Sequence, residues 1–468
     1  MSISSFLQKK FLKSLFFPAH NRGKALPKEL IKLLNLKPGE WDLPELPEIG
    51  SPLSSNGLIS NAQNYFSELF NTKNCWFGVN GASGLIQSAI LAIANPGDYI
   101  LMPRNIHLCV IKTCILANIN PVFFDLQFSP ESGQYLPITA KWFAKVINDK
   151  SLKGIKLAGV VFVNPYYQGY VTDLDPLIEI CHDQNLPVLV DEAHGSYFLF
   201  CEGFGLPKSA VRSKADLVVH SLHKSLNGLT QTAILWHCGD KINEKKIKDS
   251  INLLQTTSPS ALLLSSCEES ILDWIRSESL NEYKNRILEA RNIFQELIKR
   301  GIPLERTDDP LKIVLNTGRF GIDGFTADKF FYKYGLIAEL PEFMTLTFCL
   351  GFSKQNDFIA VFEKLWNKLI SDFEGNTLKS SKPPFEFIQI PEIQPAEAWI
   401  GRSTQIPVAN SVGRISADIV SPYPPGIPLL VPGERIDKKR VDWLLEQGLY
   451  CEDLEKLTVS VLQLENNS

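Results

Sequence analysis

Side chains able to exchange protons or form covalent bonds concentrate between His182 and His237, a stretch that holds five of the seven histidines. Within it, Pro187–Gly195 reads PVLVDEAHG, an apolar strand that ends on Asp191. Ala215–Ser225 reads ADLVVHSLHKS, a second apolar strand ending in His220, Ser221, His223 and Lys224. A lysine at one strand end and a carboxylate at another can together serve an aldehyde cofactor. The amine forms an imine once partial desolvation lowers its pKa. The carboxylate keeps a pyridine nitrogen protonated, so that the ring can accept electrons. A phosphate on the same cofactor needs backbone N–H groups at a helix start, and Asn80-Gly81-Ala82-Ser83-Gly84 offers them. The cofactor this set points to is pyridoxal phosphate. Singly, an Asp at a strand end is more often a cap or turn residue and a Lys more often a solvated charge. The ordered combination is far more specific.

Two other chemistries fit less well. DEAH at 191–194 suggests a helicase, but that needs G-x-x-x-x-G-K-S/T, and Gly23-Lys24 is followed by Ala25. A zinc site from His194, His220 and His223 has no accompanying thiolate pattern and adjoins Lys224.

The elements that must position these groups alternate between strand and helix from about Asn61 to Trp236. Tyr99–Met102, Val122–Phe124, Ala158–Val163, Val188–Val190, Leu217–Val219 and Ala233–Trp236 are short β-rich runs. Ser83–Ala94, Arg104–Asn118 and Leu174–Gln184 carry helical spacing. The pattern predicts an α/β fold with a mostly parallel sheet covered on both faces, and a site at the carboxyl ends of its strands. Leu262–Arg300 reads as one long helical stretch, followed by a smaller α+β region to about Phe373. Glu374–Pro384 has the polar, proline-bearing character of a linker. The prolines of SPYPPGIPLLVPGE (421–434) forbid a helix. Its Ile427, Leu429, Leu430 and Val431, worth roughly 1.5–3 kcal/mol each when buried, must dock on something, whether a second subunit or the same chain.

Bulk properties bound the class. With 468 residues, 44% of them hydrophobic and 21% charged, the chain can build two or three lobes. A formal charge of −4 gives no reason to expect a nucleic-acid or membrane-surface partner. The start, MSISSFLQKKFLKSLFFPAHNRGK, lacks a secretory h-region and cleavage site; its Ser, Lys and Phe content also suits a transit peptide, but a short amphipathic helix leading into the fold is the expectation. No apolar run approaches a membrane span. The nine cysteines include no C-x-x-C pair and read as buried reduced thiols of a cytoplasmic protein.

Over nearly its whole length the sequence resembles the ornithine/lysine/arginine decarboxylase group of fold-type-I pyridoxal-phosphate enzymes, in a short form without an additional N-terminal regulatory-type domain. FFPAHNRG (16–23), WDLPELPEIGSPLSSNGLISNAQ, VNGASGLIQSAI, MPRNIHLCVI, VFVNPYYQGYVTDL, VLVDEAHG and HSLHKSLNGLTQTAIL carry the likeness. The tail segment VGRISADIVSPYPPGIPLLVPGERI is similar to the group's C-terminal signature.

The resemblance implies an aspartate-aminotransferase-like large domain at 61–300 with a long connecting helix, behind an N-terminal segment at 1–60. It also implies a small α+β domain at 301–375 and a C-terminal decarboxylase domain at 385–468. Lys224 becomes the Schiff-base lysine and Asp191 the pyridinium partner, with His107 stacked on the ring and Ala193 on its other face. Ala82, Ser83 and Gly84 form the phosphate turn, helped by Ser221 and His223, with His194 beside the cofactor hydroxyl edge. Thr256-Thr257-Ser258 resembles a stretch that reaches the phosphate of a neighbouring subunit, which implies a homodimer or higher homo-oligomer. Ala82 stands where the group has Thr, Leu108-Cys109 where it has Lys-Ser, and Ala19 where it has Gly. None of these departures touches Lys224 or Asp191.

The implied reaction is decarboxylation of a basic amino acid feeding polyamine synthesis, with arginine favoured over lysine or ornithine. Lys224 or His223 would return the proton at Cα. Glu434 is the expected anionic partner of the substrate's distal charge. Glu339 and Glu342 are further candidates that read first as exposed charges. The alternatives are another fold-type-I activity, such as an aminotransferase with an arginine clamp, or a catalytically inactive structural homologue.

Overall fold

The apolar runs of the middle of the chain are continuous, not alternating, because the sheet they form is buried on both faces. In this computed structural model, residues 11–373, 375–421, 427–448 and 458–463 are described. Eight strands make the central sheet: β1 (Asn74–Gly78), β2 (Tyr99–Pro103), β3 (Asn120–Phe124), β4 (Leu157–Val163), β5 (Val188–Asp191), β6 (Leu217–Ser221), β7 (Ala233–His237) and β8 (Ile388–Gln389). Their order across the sheet is β8-β3-β2-β4-β5-β6-β7-β1. From β3 to β6 the neighbours run parallel, while β7 is antiparallel to both β6 and β1, and β8 is antiparallel to β3.

Side chains leave the sheet with period two. Val160, Phe162, Val188, Val190 and Val218 enter one core, while Val161, Leu189, Leu217 and Val219 enter the other. The second core is roofed by helices Gly81–Ile93, Leu108–Ala117 and Glu244–Leu254. The register sets Asp191 opposite Val219, and Ser221 opposite Ala233, which itself faces Gly78. The carboxyl ends of β1, β5 and β6 therefore lie along one edge.

Several expectations need correcting. The stretch Leu262–Arg300 is two helices, Ala261–Leu272 and Ser277–Lys299. Asp273 ends the first, and its buried carboxylate accepts the hydroxyls of Ser279, at 2.8 Å, and Tyr283. The segment Arg104–Asn118 becomes helical only from Leu108, where the His107 ring accepts the N–H of Cys109 as an N-cap. The expected linker is a docked strap: Leu378 N–H donates to Gly318 at 2.8 Å, and Lys382 pairs with Asp125. The predicted amphipathic start falls partly on residues 1–10, outside the described residues. Lys13–Ser14 forms a short parallel strand against Leu336–Ile337. In the 421–434 loop, Pro422–Gly426 lie outside the described residues, while Leu429, Leu430 and Val431 are buried against their own chain and Ile427 partly so. Those side chains therefore supply no argument for a subunit interface.

Among the described residues no helix is long and apolar enough to cross a membrane. The eight described cysteines are unpaired, six of them buried.

Candidate active site

Lys224 sits on the short helix Leu222–Ser225 that turns off the end of β6. Its amine lies 3.1 Å from Nε2 of His194, and burial lowers its pKa, opposed by the charges of Asp191 and Glu339. Asp191 ends β5, is 5% exposed and accepts the N–H of Ala193 at 3.1 Å. Burial also lowers the pKa of His107, with Asp191 pulling it back up and Lys224 pushing it down, so the three form one electrostatic unit. His194 is held between the rings of Tyr167 and Phe17, with centroids at 4.4 and 5.4 Å, and burial drives its pKa well down. A second lysine the sequence did not single out, Lys312, is buried 3.1 Å from the Cys349 sulfur and over the ring of Phe17.

Ala82, Ser83, His107, Asp191, Ala193, His194 and Lys224 all line one cavity of about 390 Å³. Gly81 takes φ +68° at the turn that opens the helix Gly81–Ile93, and no side chain caps that helix. The Gly81 N–H donates to the Gln231 carbonyl at 2.8 Å, which leaves the N–H groups of Ala82 and Ser83 for a ligand at the wall those two residues make. The Ser83 hydroxyl lies beside the Cys109 thiol, one of the departures from the family pattern.

Other expected residues lie elsewhere. Gly84 does not line the cavity. A Cβ there would meet the Gln255 amide at 2.7 Å, so the position serves close packing. Ser221 and His223 bond to each other at 3.1 Å behind the lining, and burial lowers His223 to about 4. Thr256, Thr257 and Ser258 are exposed and contribute nothing to this chain's cavity. His220, weighed as a zinc ligand, is fully buried between Glu192 at 2.7 Å and the Trp236 indole at 2.9 Å.

The three glutamates behave in three ways, and Glu434 must be corrected. Its carboxylate is sealed inside the protein, takes Arg104 through both oxygens at 2.6 and 2.8 Å, and also takes Arg440 at 3.0 Å. It does not line the cavity and has no capacity left for a substrate. Glu339 accepts the Phe17 N–H at 2.9 Å and the Tyr167 hydroxyl. Only Glu342 lines the cavity, and it is 7% exposed, not the surface charge it first suggested.

The donor set fits pyridoxal phosphate. The buried Lys224 amine has a ring nitrogen, not a carboxylate, as its bonded neighbour. Two further lining residues, His194 through Nδ1 and Tyr135 through its hydroxyl, present buried polar atoms without a hydrogen-bond partner. Polar atoms buried in this way call for a polar ligand.

Comparison with known proteins decides the family. Residues 13–315 match the model of the Orn/Lys/Arg decarboxylase major domain, and 382–448 that of the Orn/Lys/Arg decarboxylase C-terminal domain. The chain belongs to the Orn/Lys/Arg decarboxylase family. It is 29% identical to an arginine decarboxylase of Bacillus anthracis over 96% of this chain and 93% of that one. An arginine decarboxylase of Bacillus subtilis is 27% identical, over 96% and 93%. In fold it is similar to the Francisella novicida lysine decarboxylase LdcF, with a TM-score of 0.73, 18% identity, and coverage of 89% of this chain and 73% of that one. The Orn/Lys/Arg decarboxylases are fold-type-I pyridoxal-phosphate enzymes that decarboxylate basic amino acids, and this chain is one of them.

Tyr135, Gln134, Gln168 and Tyr167 are the site residues the sequence did not assign. Tyr167 and Gln168 lie in the motif NPYYQGY, whose polar residues after an apolar strand were the available signal. Gln134 and Tyr135 sit on a two-residue strand that no periodicity marks.

Proposed function

We propose that the chain decarboxylates L-arginine in the cavity at the carboxyl ends of β5 and β6, with Lys224 as the cofactor lysine and Asp191 as the ring-nitrogen partner. The observation that carries the proposal is the buried, carboxylate-free Lys224 amine sharing one cavity with Asp191 and His107. Bound there, pyridoxal phosphate supplies the electron sink that takes up the pair released when the carboxyl carbon leaves.

The chain's own residues do the rest. Desolvation lowers the pKa of the Lys224 amine and so favours its uncharged, nucleophilic form. Asp191 would keep a proton on the ring nitrogen of the bound cofactor. The N-capping bond to Cys109 fixes the His107 ring at the rim of the helix. Apolar side chains such as Phe128, Phe343 and Phe385 line the cavity and disfavour a carboxylate relative to neutral CO₂. Proton return at Cα is assigned to Lys224. His223, its competitor, does not line the cavity and has its pKa depressed to about 4, which leaves it without a proton to give at neutral pH.

The wider reading is a homodimer in the cytoplasm, supplying amine for polyamine synthesis, with Thr257 and Ser258 reaching the partner's cofactor phosphate. An aminotransferase is the less supported reading, because among the described residues no arginine lines the cavity to clamp a second carboxylate. Incubation with arginine, lysine and ornithine and analysis of the amines released tests the proposal. Agmatine and CO₂ are the expected products, and transfer of the amino group to a keto acid would overturn it.

A further inference from the structure

One wall of the cavity carries a carboxylate with no cation to meet it. Glu342 follows the short strand Leu340–Pro341 and sits in the turn before Thr345–Cys349, where its N–H donates to the Thr345 carbonyl at 2.8 Å. Its carboxylate accepts three neutral donors. The Gln134 amide reaches Oε2 at 2.8 Å, the Gln168 amide reaches both oxygens at 2.9 Å, and the Thr345 hydroxyl lies at 3.3 Å. Among the described residues it forms no salt bridge, and burial pushes its pKa up. Neutral donors orient a carboxylate but leave its charge uncompensated, a costly state inside a protein.

The surroundings show what would compensate it. Gln134 spends its amide nitrogen on Glu342, which leaves its Oε1 buried without a partner, an acceptor beside a carboxylate. The neighbouring Tyr135 hydroxyl is likewise buried and unpartnered. Gln134, Tyr135 and Glu342 line the same cavity as Lys224, together with the rings of Phe128 and Phe343. Acceptors, negative charge and aromatic faces together describe a site for an organic cation.

We propose that Glu342, aided by the Gln134 carbonyl oxygen, reads the distal charge of the substrate and selects a guanidinium over a simple ammonium. The proposal rests on the decarboxylase reading and names the substrate end it recognises. A guanidinium presents five N–H groups in one plane, enough for a fork with one N–H on Oε1 of Glu342, which accepts only the Gln168 amide, and another on the unpartnered Oε1 of Gln134. An ammonium is a point charge with three donors and cannot make the fork. The two amides on Glu342 come from segments 208 and 174 residues away, so the carboxylate is aimed by tertiary contacts and not by a local turn.

The test compares arginine with citrulline, which has the same length but an uncharged end, and with lysine, in wild type and Glu342→Gln. Loss of a charge-assisted fork should lower kcat/KM for arginine by about 10- to 100-fold, chiefly through KM. The cofactor absorbance at about 420 nm should stay in place. Citrulline turnover should fall by less than about threefold, so that the arginine-over-citrulline ratio collapses. Equal losses on both substrates, or an unchanged ratio, would make Glu342 a structural residue and overturn the proposal. If wild type turns over none of the three, the decarboxylase reading fails on its own. Calorimetric binding of agmatine to wild type and Glu342→Gln then decides the carboxylate: weaker binding by the variant upholds it, and equal or absent binding removes it. If Glu342→Gln does not fold, Gln134→Met takes its place, and an arginine-over-lysine ratio that does not fall would overturn the proposal.

Discussion

Two buried glutamates divide the molecule. Glu434 lies where the C-terminal region meets the large sheet, saturated by two arginines, with the Arg104 guanidinium also donating to Pro428 and Leu429 and packed over the Phe123 ring at 4.3 Å. Glu342 lies in the cavity wall with neutral donors alone. A carboxylate whose charge is matched inside the protein holds two segments together. One whose charge is left unmatched at a cavity surface waits for a ligand. Both are buried glutamates, and partners make the difference.

The largest effect should come at Lys224, which lines the same cavity as Glu342. Lys224→Ala should abolish turnover while the urea midpoint stays near wild type, since a lone amine on a four-residue helix contributes little packing. Borohydride reduction and peptide mapping of wild type should tag Lys224, and a tag on another lysine would sink the assignment. Asp191→Asn should keep the cofactor and lose most activity, because an amide cannot hold the ring nitrogen protonated. A near-normal kcat would reduce Asp191 to a turn residue that caps Ala193.

Stability separates the two glutamates directly. Glu434→Gln strands Arg104 as a buried charge, while Arg440 keeps its pair with Asp437, and should cost about 3–5 kcal/mol in urea unfolding. Glu342→Gln removes an unmatched charge and should change stability by less than about 1 kcal/mol. Equal costs at the two positions would erase the distinction.

The smallest expected effect is a change in acid sensitivity. His223 has its pKa depressed from 6.5 to about 4, so below 6.5 the unfolded chain binds a proton that the folded chain refuses. Stability from this group is full above pH 6.5 and is lost as pH falls toward 4. Glu342, shifted upward by burial, works in the opposite sense and favours the folded state as it protonates. His223→Gln should therefore make the acid limb of the stability curve shallower, leaving the share of His107 and His194 in place. An acid limb as steep in the variant as in wild type would remove His223 as its source.

Much of the sheet was legible because β4, β5 and β6 are apolar on both faces, so their runs stand out from the polar turns around them. The break at Asp273 was not, because its carboxylate is stabilised by hydroxyls later in the chain that a helical pattern does not register. The strap at 375–384 looked like a linker for the same reason. Its polarity is real, but Lys382 meets Asp125 and Ser380 and Ser381 line the cavity.

Local order along the chain determined the chemistry: a glycine turn opening a helix, a strand ending in Asp191 and another leading to Lys224. Such groups are set by the ends of elements, and the apolar pattern marks those ends. Which glutamate faces the substrate was decided only by the fold. Glu434, Glu339 and Glu342 are indistinguishable as letters. Their charges are matched or left unmatched by Arg104, Tyr167 and Gln134, which lie 330, 172 and 208 residues away from them. Electrostatic partners at that separation are chosen by packing, which the neighbouring residues in the sequence do not encode.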